Sequence, residues 1–454
     1  MNLKRELGLF SATVLVVANM IGTGIFTTSG FIMAELGNPR DLLLCWFFGG
    51  LFALAGALCY GELGAALPRA GGEYAYLRKS FGRGAGFLSG WISLVVGFSA
   101  PIAAGAMAFA SYFFRTFPGL GSGGVTFSLC GITLVSLSPS TLLAVAVIIV
   151  LSLVHYHSLA MGARVQNVLT IFKITLVLGF ITAALAWGRG SFEHFSQGLH
   201  TSSLFQERFA VSLIFVFFAY SGWNAAAYVG SEIKRPQRNI PLALIMGTGG
   251  VTVLYLLLNG VYIYALAPDE MKGVLEVGAK AATSLFGLQA GRYVSSAIAL
   301  GLLSVLSAMI MAGPRVYYAM SRDGLFFSAL GRVRPERGTP GGSIFLQAAI
   351  AVFMVITASF ESLLVFIGFT LSLCAMVTVV GMMRLRFQNP TGLRPFKTPG
   401  YPVTPVLFIL GNLWIIYFTL KSRPLCALSG LGTIGLGLLL FFYFKQKKGS
   451  SYEI

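Results

Sequence analysis

The sequence has few charged residues for its length. Only 10% of the 454 residues are Asp, Glu, Lys or Arg, whereas soluble domains carry about 25%. A chain this poor in charge cannot cover a water-facing surface of its size, so we expect lipid to surround much of it. No linker rich in Pro, Ser or charge divides the chain, so one polytopic membrane unit is predicted.

Acidic residues are the scarcest charged class, with 15 Asp and Glu against 32 Lys and Arg and a net charge of +17. In a soluble protein this excess would suggest nucleic acid as a partner. Here the basic residues lie in short runs between apolar segments, as the positive-inside rule produces. The absence of a continuous basic face therefore disfavours nucleic-acid binding.

Motifs for redox, metal or nucleotide chemistry are also missing. The five cysteines form no CxxC pair, and His155 and His157 are two apart, so on a helix they point to different faces. Gly22-x-Gly24 lies in no strand–helix unit, and no Walker motif occurs. With no nucleophile beside a base, the sequence predicts no cofactor, no metal and no enzyme activity.

Long hydrophobic runs are what the sequence does have. A membrane-spanning helix needs about 20 mostly apolar residues, and twelve candidates occur: 9–34, 42–67, 86–114, 139–157, 163–187, 207–231, 241–266, 292–314, 342–359, 361–383, 403–420 and 424–444. With the amino terminus inside, 22 basic residues fall on the cytoplasmic side and 9 on the other. The bias predicts a multi-pass protein of a bacterial-type inner (plasma) membrane with both termini cytoplasmic.

Two of the predicted spans are interrupted by small residues. Glycine is costly inside a helix, yet the first and sixth spans both carry Gly or Ser near the middle. Close packing between helices would explain either break alone. Two breaks five spans apart fit better with an inverted repeat whose broken helices form a midplane site. The interrupted stretches are Met20, Ile21, Gly22, Thr23 and Gly24 in the first span, and Phe218, Ala219, Ser221 and Gly222 in the sixth.

A broken helix exposes unpaired backbone groups at both of its new ends. Free N–H groups suit a carboxylate and free C=O groups suit an ammonium, so two breaks can hold a zwitterionic amino acid with few charged side chains. We expect the N–H groups of Thr23 and Gly24 to meet the carboxylate. The carbonyls expected to take the ammonium are those of Met20, Ile21, Phe218 and Ser221.

Several motifs resemble the amino acid–polyamine–organocation superfamily, most closely its L-type amino acid transporter branch. The run from Ile21 to Phe26 is similar to the family's first-helix motif, and the segments 68–77, 218–241 and 321–324 are similar to later motifs. The resemblance implies an all-α, LeuT-like fold with a 5+5 inverted repeat, with discontinuous helices 1 and 6. It also implies a transport core over 1–400 and two peripheral spans with a short tail over 401–454. In such relatives an aromatic residue at the position of Phe218 closes over the substrate.

Lys173 is the charge placed deepest in a predicted span. Intramembrane ionisable residues are functional candidates by default. The alternative is a lysine snorkelling to the cytoplasmic face, which would have to reach past ten residues, about 15 Å. In sodium-independent relatives, a lysine at the matching place resembles a substitute for a sodium ion. We therefore expect Lys173 to remove the need for sodium, and burial to disfavour its charged form enough for proton coupling.

Four further residues are candidates for the pocket. Asn224 and Tyr228 follow the second break and could shape the pocket or pack against the first helix. Ser304 and Ser307, three apart on the eighth span, could contact Lys173 or the substrate, although hydrogen bonding between helices is the commoner role.

No acidic residue is predicted at the depth of the breaks, which favours neutral over cationic substrates. We therefore expect a secondary transporter of neutral amino acids that works by alternating access, without sodium, by exchange or proton coupling. The alternatives are a carrier of cationic amino acids or polyamines, or a nontransporting amino-acid sensor. No obligatory protein partner is expected: Cys130 matches the loop cysteine that tethers a subunit in animal L-type relatives, but the surrounding sequence departs from theirs.

Overall fold

The computed structural model describes residues 5–69, 71–120, 123, 125–129, 132–157, 159–197, 204, 206–332 and 340–449; Cys130 lies outside them. The described chain is almost entirely helical. In order its helices are α1 (Leu9–Met20), α2 (Thr23–Leu36), α3 (Pro39–Ala66), α4 (Glu73–Phe81), α5 (Arg83–Ile92), α6 (Ala100–Thr116), α7 (Pro139–His157), α8 (Leu159–Trp187), α9 (Glu207–Tyr220), α10 (Ala225–Tyr228), α11 (Pro236–Ala265), α12 (Pro268–Met271), α13 (Val277–Phe286), α14 (Leu288–Arg322), α15 (Gly341–Thr357), α16 (Phe360–Gln388), α17 (Val403–Ser422) and α18 (Pro424–Gly449).

The predicted spans coincide with these helices. Within the described residues, nine helices are long and apolar enough to cross a membrane, and α1 with α2 make a tenth that bends by 42°. The two remaining predicted spans are shorter. The ninth is α15 with 17 residues, about 26 Å of helix, and the sixth is divided between α9 and α10.

Helix ends differ from the predicted bounds where capping groups decide them. The second span begins earlier than predicted because Pro39 occupies the first turn of α3 and the Asn38 side chain accepts a hydrogen bond from the Arg40 N–H, an arrangement typical of helix starts. The ninth and tenth spans separate at Ser359, whose side chain caps α16. The eighth span runs further than predicted, to Arg322.

Two local features were not predicted from the sequence. The third span changes to a π-helix at Ser93–Ser99 between α5 and α6, and such wide turns often mark functional sites. In the loop between the third and fourth spans, β1 (Val125–Leu129) and β2 (Ile132–Leu137) form an antiparallel pair. The hairpin does not alter the all-α, LeuT-like class, which the interrupted first and sixth spans confirm.

The broken helices lie at the centre of the bundle. In the contact pattern α1 packs on α11, and α2 packs on α9, so the two interrupted spans run side by side. Their surroundings include α3, α6, α8, α14 and α16, each of which contributes buried side chains to the core. This arrangement places both breaks inside protein, the condition under which irregular backbone is tolerated at membrane depth.

Candidate functional site

The first break occupies two residues. α1 ends at Met20, Ile21 and extended Gly22 interrupt the helix, and α2 restarts at Thr23 with no side chain capping its first turn. The break is fully enclosed, since Met20, Ile21 and Thr23 are at most 4% exposed. The prediction of a discontinuous first helix is therefore confirmed, and the first N–H groups of α2 point into protein rather than lipid.

The second break is a longer turn. α9 ends at Tyr220, the chain turns through residues 221–224, and one further turn of helix, α10, follows. Gly222 has a φ of +95°, a conformation that residues with a Cβ rarely adopt. Glycine is required there for a second reason, because a Cβ would lie 2.8 Å from the carbonyl oxygen of Asn19.

The two breaks touch each other. A Cβ on Gly24 would lie 2.3 Å from the Cα of Ala219, so α2 and α9 can only approach this closely because residue 24 has no side chain. The Tyr255 hydroxyl on α11 lies 2.5 Å from the Met20 carbonyl oxygen and 3.1 Å from that of Ala219. One hydroxyl proton is thus shared between the two interrupted helices.

A cavity of about 540 Å³ opens beside the second break, within the usual size range of small-molecule sites. Its walls are mostly apolar or small residues, among them Phe52, Ala53, Gly97, Phe98, Phe218, Gly368, Leu371 and Ala375. Towards the side that the basic-residue bias assigns to the cytoplasm, Glu232, Arg315 and Tyr318 line it. The π-helix contributes Ser93, Gly97 and Phe98, so the widened turn faces this space.

Only part of the predicted binding set lines this cavity. Five of its members do, namely Phe218, Ser221, Gly222, Asn224 and Tyr228. The others in the two breaks are buried beside the cavity without lining it: Met20, Ile21, Gly22, Thr23, Gly24 and Ala219. The contacts predicted for their backbone groups stay predictions.

Lys173 lies at the first break rather than at the membrane surface. Its side chain is buried, with the residue 1% exposed, and its ammonium donates a hydrogen bond of 2.8 Å to the carbonyl oxygen of Ala18. This contact joins α8 to the last turn of α1, where unpaired carbonyls attract a cation. Snorkelling to the cytoplasmic face, the alternative considered from the sequence, is wrong.

Ser304 and Ser307 do not line the cavity. Ser304 lies 3.3 Å from the Thr170 hydroxyl and Ser307 lies 2.9 Å from Nε2 of His155. Their spacing of three residues does place them on one side of α14, but that side packs against α7 and α8. Neither serine lines the cavity, and both make hydrogen bonds between helices, the other role considered; a contact of either with the substrate stays a prediction.

Glu73 is the cavity residue that sequence reasoning missed. It begins α4 in the loop between the second and third spans, yet it is only 6% exposed and lines the cavity. Its Oε1 accepts hydrogen bonds from the Tyr60 hydroxyl at 2.6 Å and from the Asn224 side-chain amide at 3.0 Å. Burial raises the pKa of the Glu73 carboxyl, because the neutral donors around it offset only part of the desolvation.

The carboxylate of Glu62, unlike that of Glu73, is held by an ion pair. Both carboxylate oxygens accept from the Arg386 guanidinium, at 3.0 and 2.9 Å, and Oε2 also accepts from the backbone and hydroxyl of Thr398. These bonds tie α3 to the end of α16 and to the segment before α17. The ion pair joins these segments, and Glu62 does not line the cavity.

Comparison with known proteins gives one consistent result. Residues 7–433 match the family model described as amino acid permease. The chain is 30% identical over 453 residues to the serine/threonine exchanger SteT of Bacillus subtilis, covering 99% of this chain and 98% of the exchanger. It is 29% identical to the large neutral amino acids transporter small subunit 2 of Mus musculus, covering 98% and 82%. It is also 30% identical to the b(0,+)-type amino acid transporter 1 of the same organism, covering 98% and 89%.

The resemblance inferred from four sequence motifs is thus confirmed over nearly the whole chain, and with it the prediction that the chain is no enzyme. Broken first and sixth helices that meet beside a cavity, together with these relatives, lead to one assignment. The chain belongs to the amino acid permease family and is a multi-pass membrane transporter of amino acids.

Proposed function

We propose that this chain is a sodium-independent carrier of neutral amino acids that works by alternating access, through exchange or proton coupling. It would lie in the cell's inner (plasma) membrane with both termini in the cytoplasm, as the 22-to-9 bias of basic residues favours. The observation that carries the proposal is the Lys173 ammonium bonded to the end of α1, beside two broken helices in contact.

The amino acid's two charges would be held by backbone. The N–H groups of Thr23 and Gly24 at the start of α2 suit the carboxylate, because a helix amino terminus offers unpaired donors and partial positive charge. The carbonyls of Met20, Ile21, Phe218 and Ser221 suit the ammonium. Contact between the two breaks supports this placement, since both sets of groups then lie close enough for one small zwitterion.

Lys173 would replace a sodium ion. A sodium ion between an interrupted helix and the scaffold is held by carbonyl oxygens, and the Lys173 ammonium already occupies such a position against Ala18. A built-in ammonium there neutralises the carbonyl end of α1 without any ion from solution. The same group could pass a proton if the carrier is coupled to protons.

A substrate with an uncharged side chain fits the walls of the cavity. Near the second break the lining residues are Phe52, Ala53, Phe98 and Phe218, while the charged residues Glu232 and Arg315 lie towards the cytoplasmic end. The named substrates of two relatives, serine and threonine in one and large neutral amino acids in the other, support this choice. A cationic substrate is the second candidate, because the carboxylate of Glu73 lines the same cavity.

Counterflow in proteoliposomes tests these statements together. The purified protein is reconstituted with one unlabelled amino acid inside, and uptake of a labelled panel is followed with and without sodium at several pH values. We expect saturable uptake of neutral amino acids that does not change when sodium is removed. Uptake that requires sodium, or that is confined to arginine and lysine, would overturn the proposal, and an absence of any counterflow would indicate a sensor.

A further inference from the structure

We propose that Glu73 is a proton-binding positioning residue of the transport cycle, which holds the inner half of the sixth span in place as a carboxylate and releases it when protonated from the cytoplasmic side. The proposal rests on the amino acid transport proposed above. It concerns a carboxylate outside both broken helices, in a loop that joins two spans.

The contacts around Glu73 connect the first cytoplasmic loop to the second break. The Asn224 side chain, two residues after Gly222, donates to Oε1. The Gly71 N–H donates to the carbonyl of Tyr228 at 3.0 Å, and a Cβ on Gly72 would lie 2.8 Å from the Tyr228 ring. α10 is thus seated on the loop through both its backbone and its side chains.

No basic group neutralises this carboxylate within the part of the chain that the structure describes. The titratable groups that face it are Tyr60 from α3, Tyr228 from α10 and Cys374 from α16. From α5, Ser89 lies beside Cys374. Arg78, on the same helix as Glu73, is paired with Asp323. A buried carboxylate with only neutral donors is costly when charged.

The two carboxylate oxygens of Glu73 have different hydrogen-bond contacts, and this difference indicates which oxygen would take a proton. Oε1 accepts two short hydrogen bonds, from Tyr60 and Asn224, whereas Oε2 lies 3.5 Å from the Cys374 thiol. The Tyr228 side chain also hydrogen-bonds the carboxylate. A proton taken from water in the cavity would bond to Oε2. The carboxyl group then loses its negative charge, and its bonds from Tyr60 and Asn224 weaken because a neutral acceptor binds donors less strongly than a carboxylate.

The consequence for transport follows from the place of α10. This single turn of helix forms the cytoplasmic wall of the cavity with Asn224 and Tyr228. Held by the Glu73 carboxylate, it keeps the residues of the second break in their present position. Once Glu73 is protonated, α10 can move away from the loop, and the inner side of the carrier holds its substrate less tightly.

Exchange measured against inner pH tests the proposal. Proteoliposomes of one orientation are prepared with fixed outer pH, and the apparent affinity for substrate on the cytoplasmic face is measured from inner pH 5.5 to 8. We expect wild type to lose about tenfold in affinity as the inner pH falls, the size of one charge-assisted hydrogen bond. Glu73→Gln should give a flat profile, and Glu73→Asp should restore the dependence. Glu62→Gln, in which an ion-paired carboxylate away from the cavity is removed, should keep the wild-type profile.

A second measurement does not require transport. Because the pKa of Glu73 is raised in the folded protein, the group contributes stability at low pH that is lost as the pH rises through that pKa. The melting temperature of Glu73→Gln minus that of wild type should therefore increase from pH 5 to pH 8. A difference that stays constant overturns the proton site. If the difference changes but Glu73→Gln keeps the wild-type exchange profile, control of α10 by the proton is wrong. Failure of all exchange in wild type refutes the proposed function instead.

Discussion

Replacing Lys173 by methionine tests the central electrostatic contact of the site. Methionine keeps most of the side-chain length and leaves little empty space, so the change removes mainly the charge and its hydrogen bond to the Ala18 carbonyl. Hydrogen bonds to charged groups contribute about 1.5–3 kcal/mol, and each 1.4 kcal/mol is about tenfold. Counterflow affinity should therefore fall about 10- to 150-fold.

The Lys173→Met variant is expected to be as stable as wild type or more stable. Removing a buried charge also removes its desolvation cost, so the variant should elute as wild type does in detergent and melt no earlier. Lys280→Met is the matched control, because Lys280 also donates to a backbone carbonyl, that of Glu270, but at the outer side and away from both breaks. Wild-type counterflow by Lys173→Met, or equal losses in both variants, would refute the reasoning.

Three further substitutions test neighbouring contacts. Gly24→Leu should abolish counterflow of every amino acid in the panel, because even a Cβ would collide with Ala219; binding equal to wild type would show that the two breaks need not touch. Tyr255→Phe should lower the counterflow rate about fivefold, since one buried hydroxyl bond between the breaks is lost; an unchanged rate would make that hydroxyl dispensable. Glu62→Gln should lower the melting temperature in detergent by leaving Arg386 without its counter-charge, while substrate preference stays the same; an altered preference would place Glu62 in the site.

The features predicted correctly from the sequence depend on local composition. An apolar run long enough to cross a bilayer identifies a span wherever it occurs, and glycine inside such a run identifies a break. The breaks at Gly22 and Gly222 therefore lie where they were predicted. The structure also shows why each break needs a glycine. Gly24 packs against the backbone of Ala219 in the sixth span, and Gly222 packs against the backbone of Asn19 in the first.

The features that were missed depend on contacts between distant segments. Glu73 lies in a loop by composition, and only the docking of that loop on Tyr228 carries it into the cavity. Likewise, helical spacing places Ser304 and Ser307 on one face of α14, but it does not indicate which neighbour that face meets. The sequence therefore identified the broken helices but not the partners of these two serines, which are Thr170 and His155.

The outer and inner halves of the broken helices are held in different ways. At the outer end, Arg423 bonds Glu35 of α2 and Glu361 of α16, and Lys421 bonds Glu207 of α9, so the short segment between α17 and α18 ties both outer halves to the bundle. Each exposed pair is worth only about 0–1 kcal/mol, which suits contacts that must break in every cycle. At the inner end, α10 and the last turns of α1 border the cavity instead. In the described conformation these ion pairs are formed, and Glu232 and Arg315 line the cavity. Alternating access would require these pairs to separate while α10 leaves its present seat on Glu73, so the segment between α17 and α18 and the loop before α4 would act at opposite ends of the same movement.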